Sequence, residues 1–498
     1  VPAVLLISVF AVATCGLVYE LISGALASYL LGDSVTQFST IIGAYLFSMG
    51  VGSYLARFVQ RNLLAVFVQV EILIGLVGGF SAAALFILFE YAVPFQVALY
   101  GFVALTGVLV GLELPLLMRI LQSHFEFKDL VSNVLTFDYV GALAASIIFP
   151  LVLVPRLGLV RSAFLFGMVN VAVAFWALVV FRLKGRWAMA LRPAAAVAFT
   201  ALLAGFVFSE RLVSFAEEAA FGEKIVYSKS TPYQRIVLTS TGDDLRLYLN
   251  GNLQFSSRDE YRYHEALVHP GLASLAAPAR VLVLGGGDGL ALREILKYPT
   301  VTAATLVDLD PAMPALFSRQ PFLTRLNAGA FADPRVEAVT ADAFVWLKRN
   351  RAQYDFIVVD FPDPSNYSVG KLYSVSFYRE LVRALAPGGR AVIQSTSPFV
   401  ARKSFWCVVH TLEAAGLKAY PYHAYVPSFG EWGFVLATAS DFTPPRAYPP
   451  GLRFVSLETA AAMFLFPPDM AAEPVEVNRL QNQVLVRYFD QEWSQYAH

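Results

Sequence analysis

The sequence predicts two unlike parts: an α-helical transmembrane bundle of about seven spans, then a small antiparallel β element and a doubly wound α/β domain. Three observations carry this reading. Residues 1–212 hold 11 Lys+Arg and 9 Asp+Glu, leaving 26 and 28 for the remaining 286 residues. Long, nearly uncharged apolar runs fill the first part. From Arg280 onward, short runs of β-formers alternate with helical patterns, and the first of these turns is rich in glycine.

The apolar part divides at 3–31, 36–56, 63–89, 93–120, 130–154, 159–181 and 188–208, each near the ~20 residues that a bilayer core requires. The breaks are polar: Gly32 and Asp33, residues 57–61, Glu90, residues 124–129, Pro155 and Arg156, and residues 182–186. A cleaved signal peptide does not account for so many spans. Four carboxylates interrupt the apolar runs: Glu20, Glu71, Glu113 and Asp138. Ionisable groups in lipid face a bundle interior or a water-filled cavity, which leaves a cation path or a structural hydrogen-bonded pair as the alternatives. Gly43, Gly50 and Gly52 are expected to permit close helix packing.

The net charge of zero argues against a nucleic-acid partner. Cys15 and Cys407 share no ligand spacing and read as buried small hydrophobes.

In the second part, KIVYSKSTPYQRIVLTST and LRLYLNGNLQF alternate in the manner of short strands joined by Thr-Gly-Asp and Asn-Gly turns. RDEYRYHEALVHPGLA has a helical pattern. VLVLGGG, ATLVDLD, VEAVTAD, FIVVD and AVIQST then read as strands separated by helices, one of them over residues 377–385. The order is that of a doubly wound sheet, whose ligand crevice lies at the strand C-termini. GFVLATAS fits the antiparallel strand of an S-adenosylmethionine-type Rossmann-like fold. The expected domains are 1–212, a linker and β element at 213–279, the α/β domain at 280–442 and an extension at 443–498.

Chemistry concentrates at the strand ends. In GGGDG, Gly285 and Gly287 let backbone approach a ligand and Asp288 opens the following helix. A dinucleotide fold uses the same devices, so the glycines alone do not decide. Asp308 ends the second strand and suits ribose hydroxyls, whereas Asp342 ends the third and can accept from an adenine amino group. Asp360 and Asp363 flank the turn in VDFPDP. With no phosphate-binding role left for basic residues, the ligand reads as an adenosine without phosphates, its positive charge met by the carboxylates. Each acid also has a structural alternative: turn formation for Asp308 and Asp342, and an Asx-type turn for Asp360 and Asp363.

Residues 233–438 resemble the spermidine synthase family of aminopropyltransferases. The matching pieces, in family order, are YQRI, LNGNLQFSSRDEYRYHEALVHP, VLVLGGGDG, VDLD, ADAF, VVDFPDPS, LYSVSFYRELVRALAPGG and VIQS. The apolar half is similar to the multi-span extension of membrane-attached bacterial members. The resemblance implies decarboxylated S-adenosylmethionine as co-substrate and methylthioadenosine as product, with no tightly bound cofactor and no metal. Gln234 and Asp288 would contact the aminopropyl-sulfonium part, Asp308 the ribose and Asp342 the adenine, with Gln254 and His264 lining the same pocket. Asp360 would orient and deprotonate the attacking amine, with Asp363, Tyr263 and Gln394 on the acceptor side. His264 and Tyr263 have the alternative of being packed helix residues, and residues 365–372 are either a lid or a surface loop.

The resemblance further implies a polyamine or other amine as partner, a homodimer, and a multi-pass protein of the inner membrane with a cytoplasmic catalytic domain. Arg57, Arg61, Arg119, Lys128, Arg182, Lys184 and Arg186 all follow even-numbered spans. By the positive-inside rule, seven spans then put the C-terminal domain outside, unless one segment, such as the fifth with Asp138, does not fully cross.

Two departures concern the acceptor. The Gln-x-Glu element of the family is Gln394 followed by Thr396, and the tyrosine before the final strand gives way to Phe429 in VPSFGEWGF. Both positions would meet the far amine of a diamine. Glu431 is one candidate to compensate; otherwise the acceptor differs, arrives through the membrane half, or is the donor's own amine. The alternatives to an aminopropyltransferase are an S-adenosylmethionine-dependent methyltransferase and a polyamine transporter or sensor with a non-catalytic adenosyl-binding domain.

Overall fold

The computed structural model describes residues 2–31, 34–90, 95–122, 126–181 and 185–495. The chain forms two compact units, Val1–Pro232 and Tyr233–His498.

The first unit contains helices α1 (Pro2–Leu31), α2 (Ser34–Ala56), α3 (Leu63–Glu90), α4 (Phe95–Leu121), α5 (Phe127–Ile148), α6 (Val154–Val180) and α7 (Arg186–Phe221), and ends in strand β1 (Lys224–Ser230). Helices are the natural state of such runs because they satisfy every backbone group within one segment. Among the described residues, six segments are long and apolar enough to cross a membrane, not the seven expected. The difference lies at Phe127–Val180, one apolar segment of 54 residues. A π-helical turn at Phe149–Leu153 joins α5 to α6 across Pro150. Wide turns of this kind absorb a missing proline N–H, so Pro150 does not interrupt the segment. The backbone kinks instead at Gly158, with φ 73° and ψ 177°, beside the break expected at Pro155 and Arg156. Helix α5 packs on α1, and α6 packs on α3.

Helices α2 and α4 approach closely. A Cβ on Gly52 would lie 2.0 Å from Val108 O, and one on Gly111 would lie 2.1 Å from Met49 O. Gly43 and Gly50 have nothing near them. At 100° per residue they lie on the opposite side of α2 from Gly52, so only one of the three expected glycines serves packing.

The expected carboxylates separate. Glu71 and Glu113 are fully buried together with Asn170 and Tyr19, whereas Asp138 is half-buried. Asn170 Nδ2 donates to Glu71 Oε2 at 2.9 Å and reaches Glu113 Oε1 at 3.5 Å, while Tyr19 donates to Asn170 Oδ1 at 3.0 Å.

In the second unit, β2 (Arg235–Thr241), β3 (Asp244–Leu249) and β4 (Asn252–Ser256) form an antiparallel meander. Its second turn is Asn250-Gly251, with φ 52° and 81°, the primed geometry that matches strand twist. Helix α8 (Glu260–Leu272) leads into a seven-stranded sheet. Its elements run β5 (Arg280–Gly285), α9 (Leu290–Ile295), β6 (Ala303–Asp308), α10 (Ala312–Arg319), α11 (Pro321–Leu326), β7 (Val336–Thr340) and α12 (Ala343–Arg349). They continue with β8 (Tyr354–Asp360), α13 (Tyr367–Gly370), α14 (Val375–Ala384), β9 (Leu385–Gln394), α15 (Arg402–Ala414), β10 (Lys418–Val426) and β11 (Gly430–Thr438). Helices α16 (Leu457–Met463) and α17 (Val484–Trp493) complete the unit.

The strand order is β10-β11-β9-β8-β5-β6-β7. The five strands from β9 to β7 are parallel, while β11 runs antiparallel between β9 and β10, as the sequence predicts. Chain order reverses at β5, so a crevice opens between the C-terminal ends of β5 and β8. The sheet is covered on both faces, which explains strands that are apolar throughout. Leu282, Leu284, Ile357, Val359 and Ile393 join one core, and Val281, Val283, Phe356, Val358 and Val392 the other.

The C-terminal extension is built into this unit. The backbone N–H groups of Arg453, Phe454 and Val455 donate to the buried Glu265 carboxylate at 2.8, 2.8 and 2.9 Å. Buried Asn478 donates to Gly370 O at 3.0 Å and Tyr373 O at 3.1 Å.

Candidate functional site

The crevice begins at the turn after β5. Gly285 has φ 83°, and a Cβ there would lie 2.2 Å from Asp360 O, so only glycine lets the ends of β5 and β8 meet. A Cβ on Gly287 would lie 2.6 Å from Asp308 Oδ2, so that glycine keeps the Asp308 carboxylate clear. Asp288 follows, buried, its Oδ1 accepting from Leu290 N at 2.8 Å and its carbonyl from Asn327 Nδ2 at 3.0 Å. Burial raises its pKa against the opposing charge of His264.

Asp308 ends β6 and accepts from Asp310 N at 2.8 Å. Burial pushes its pKa up to about 6. Gln234 Nε2 donates to Asp310 Oδ2 at 3.0 Å, so the glutamine lies beside the β6 acids. Gln254 instead turns back on its own strand, Nε2 donating to Asn252 O at 3.1 Å.

Asp342 caps α12. Its Oδ1 accepts from Phe344 N at 2.9 Å and Val345 N at 3.1 Å, and its Oδ2 pairs with Lys371 Nζ at 2.9 Å. Partial burial pushes its pKa up, but Lys371 and the helix amides outweigh that and hold it below its ordinary value. The helix-forming alternative is thus visible in its contacts, alongside any role toward a ligand.

Helix α8 brings two residues to the crevice. Tyr263 OH donates to Asp360 Oδ1 at 2.6 Å. His264 Nδ1 lies 2.8 Å from Glu260 O and 2.9 Å from Glu260 Oε2. Burial lowers the His264 pKa, but Glu260, Asp288 and Asp360 together raise it. Glu260 is itself gripped by Arg293 at 2.8 and 2.9 Å, a planar two-point pair that fixes the helix against α9.

Asp360 and Asp363 follow β8. Burial, aided by Asp288, pushes Asp360 up to about 6, against His264 and Tyr263. Burial pushes Asp363 to about 7, against Gln394 and Thr396. Gln394 Nε2 donates to Phe361 O at 2.7 Å, Asp363 Oδ1 at 3.2 Å and Tyr373 OH at 3.1 Å. Its Oε1 accepts from Thr396 N at 3.1 Å and Trp432 Nε1 at 3.2 Å. Residues 365–372 contain the short helix α13, capped by Asn366, with Asn478 bound at its end.

Glu431 does not compensate for the missing acid. It pairs with His423, whose Nε2 lies 2.8 Å from Leu465 O, because alternation along β11 sends Glu431 to the face opposite Trp432. Phe429 packs against Trp432, with ring centroids 5.2 Å apart, and against Tyr263 at 6.2 Å.

Sequence reasoning missed Asp310, Lys371, Asn327 and the Glu260–Arg293 brace. Asp310 was within reach, as the second acid of VDLD; the others join segments that no spacing connects.

A family model described as "Spermine/spermidine synthase domain" matches residues 260–445. Over 99% of this chain and 98% of the relative, the sequence is 59% identical to "Polyamine aminopropyltransferase 2" of Ralstonia nicotianae. It is 50% identical to "Polyamine aminopropyltransferase" of Leptospira interrogans, over 98% of each chain. A crystal structure of spermidine synthase in complex with the transition-state analogue AdoDATO matches with 27% identity and a TM-score of 0.46, over 49% of this chain and 86% of the other. End-to-end identity of this order includes the apolar half as well as the catalytic unit. The chain belongs to the polyamine aminopropyltransferase, or spermine/spermidine synthase, family.

Proposed function

We propose that this protein transfers the aminopropyl group of decarboxylated S-adenosylmethionine to an amine, and that the crevice between β5 and β8 is where it does so. The observation that carries the proposal is the set of three acids around a glycine turn, Asp288 buried and Asp360 and Asp363 half-buried, with Tyr263 bonded to Asp360. Gly285 and Gly287 admit the adenosyl part, Asp308 takes its ribose, Asp342 its adenine, and Asp288 balances the sulfonium. Gln234 and His264 complete the donor side.

The amine enters as an ammonium drawn to Asp360 and Asp363. Asp360, with a pKa near 6, is a carboxylate at neutral pH and accepts a proton from it. The freed nitrogen lone pair attacks the aminopropyl carbon next to sulfur. The carbon–sulfur bond breaks, its electrons pass to sulfur, and methylthioadenosine leaves as a neutral thioether. Holding donor and amine in line supplies much of the rate. Thr396, standing where the resemblance places an acid, favours an acceptor other than ordinary putrescine, including the donor's own amine.

The test is to incubate purified protein with the decarboxylated donor, with and without diamines, and to identify every product. Methylthioadenosine and an elongated amine support the proposal. Methylthioadenosine without added amine identifies an intramolecular acceptor. S-adenosylhomocysteine formed from the carboxylated cofactor, with no methylthioadenosine from either, makes it a methyltransferase instead.

The six apolar segments are read as crossing the inner membrane. Arg57, Arg61, Arg119 and Lys128 lie by the second and fourth of them and favour that side as cytoplasmic, whereas Arg182, Lys184 and Arg186 follow the fifth and oppose it. Six crossings would return the chain to the same side, which supports a catalytic unit in the cytoplasm with its donor. Labelling of single cysteines introduced at Arg61 and in the 443–455 stretch with a membrane-impermeant reagent reads this directly; labelling of either in intact cells overturns it.

A further inference from the structure

The C-terminal extension reaches the acceptor side of the crevice through a single ring. Trp493 on α17 donates from Nε1 to Thr396 Oγ1 at 3.3 Å, and Thr396 Oγ1 lies 3.5 Å from Asp363 Oδ2. A parallel line runs from Trp432 Nε1 to Gln394 Oε1 at 3.2 Å, and from Gln394 Nε2 to Asp363 Oδ1 at 3.2 Å. The two indoles touch, with centroids 6.5 Å apart.

Both intermediates have an orientation that must be fixed from outside. A glutamine amide fits its pocket in two ways. Here Oε1 receives two donors, Thr396 N and Trp432 Nε1, so the flipped amide would set N–H groups against N–H groups. Thr396 has φ 56°, a left-handed conformation costly for a β-branched residue and sustained only when the surroundings hold it. Its carbonyl accepts from Gly433 N at 2.7 Å, and Trp493 holds the hydroxyl.

The geometry points to Trp432 and Trp493 as positioning residues for the acceptor end of the site, their indole N–H groups turning Gln394 and Thr396 so that both present donors to Asp363. This rests on the aminopropyl-transfer reading and on Asp363 receiving the acceptor ammonium. The two donors oppose the effect of burial and favour the anion of Asp363 at a place where the position of Thr396 supplies none. Tyr263 and Tyr373 also face Asp363 and are neutral, so Gln394 and Thr396 carry the support.

The experiment compares wild type with Trp432→Phe, Trp493→Phe and the double variant, which keep aromatic rings and lose only the N–H groups. The acceptor KM is expected to rise about 5-fold in the double variant, the size of one lost hydrogen bond, with the donor KM unchanged. The acid limb of kcat/KM for the acceptor should move to higher pH, because a carboxylate that loses donors is harder to ionise. Thr396→Val should show the same pair of changes, and Thr396→Ser, which keeps the hydroxyl, should not. An unchanged acceptor KM and acid limb in the double variant, with only the melting temperature lowered, would reduce the indoles to packing and overturn the assignment. Asp363→Asn runs in parallel. If it leaves the acceptor KM unchanged, the acceptor role of Asp363 falls; if it raises that KM while the double variant stays silent, the positioning role alone falls.

Discussion

Both units hold acids apart from bulk water, and the acids at the first three strand ends are supported by other means than those of the helical unit. Glu71 and Glu113 lie within helices whose backbone groups are already consumed, so one side-chain amide, that of Asn170, serves them both. Glu71 Oε1 and Glu113 Oε2 have no hydrogen-bond partner among the described residues. Asp288, Asp308 and Asp342 stand where strands end and helices begin, and backbone N–H groups turn toward all three. A helix interior must borrow donors from side chains, whereas a strand end has them to spare. Asp360 and Asp363, by contrast, take side-chain donors from Tyr263, Gln394 and Thr396, as the helical pair takes Asn170.

The comparison breaks hardest at Asp360. Asp360→Asn should lower kcat/KM by about 1,000-fold, the scale of a lost general base, while calorimetry still finds the donor bound. Full activity in that variant would remove the distinction between the two acid clusters.

The helical unit should respond in stability. Asn170→Leu leaves two buried carboxyls without their shared donor and is expected to destabilise that unit by about 3 kcal/mol, measured by thermal unfolding in detergent. Adding Glu71→Gln and Glu113→Gln should recover most of the loss. No loss in Asn170→Leu would show that the amide supports nothing.

A smaller effect sharpens the sheet side. Asp360 and Asp363 are lifted to about 6 and about 7, so kcat/KM should fall as pH drops through that window and the carboxylates take up protons. Tyr263→Phe removes a donor to the anion and should shift the fall to higher pH. The same lift acts on folding with the reverse of the usual acid's sign. Between the unfolded value near 4 and the folded 6–7, the native state holds more protons, so these two groups disfavour folding increasingly as pH rises. A titration of activity flat from pH 5 to 8 would contradict both values.

The smallest change is at the rim. Lys371→Met removes the ion pair to Asp342, whose members are each about a third exposed, so solvent screens it and about 0.5 kcal/mol is at stake. Chemical denaturation of the catalytic unit should register it near the limit of detection.

The fold was legible where pattern is local. Strict apolar strands, the Asn-Gly hairpin and the glycine turn announced the meander and the doubly wound sheet, because each depends on residues within a few positions. The placing of Asp360 and Asp363 at the end of β8 was legible for the same reason. What escaped depends on distance or phase. The break expected at Pro155 and Arg156 falls within one apolar segment that kinks at Gly158, a backbone feature that no hydropathy window registers. Gly43 and Gly50 were misjudged because helical phase, not glycine content, decides which face meets α4. Trp493 and Thr396 are 97 residues apart, and only folding connects them.

The extension's fastening to the sheet has a practical corollary. A soluble fragment for crystallisation or screening is naturally cut near residue 442, where the last strand is over. That cut would discard the three amides around buried Glu265, the Asn478 clamp on Gly370 and Tyr373, and the indole on Thr396. An excised catalytic piece has to run through Trp493 to retain its shape, and bulky tags belong at its other end.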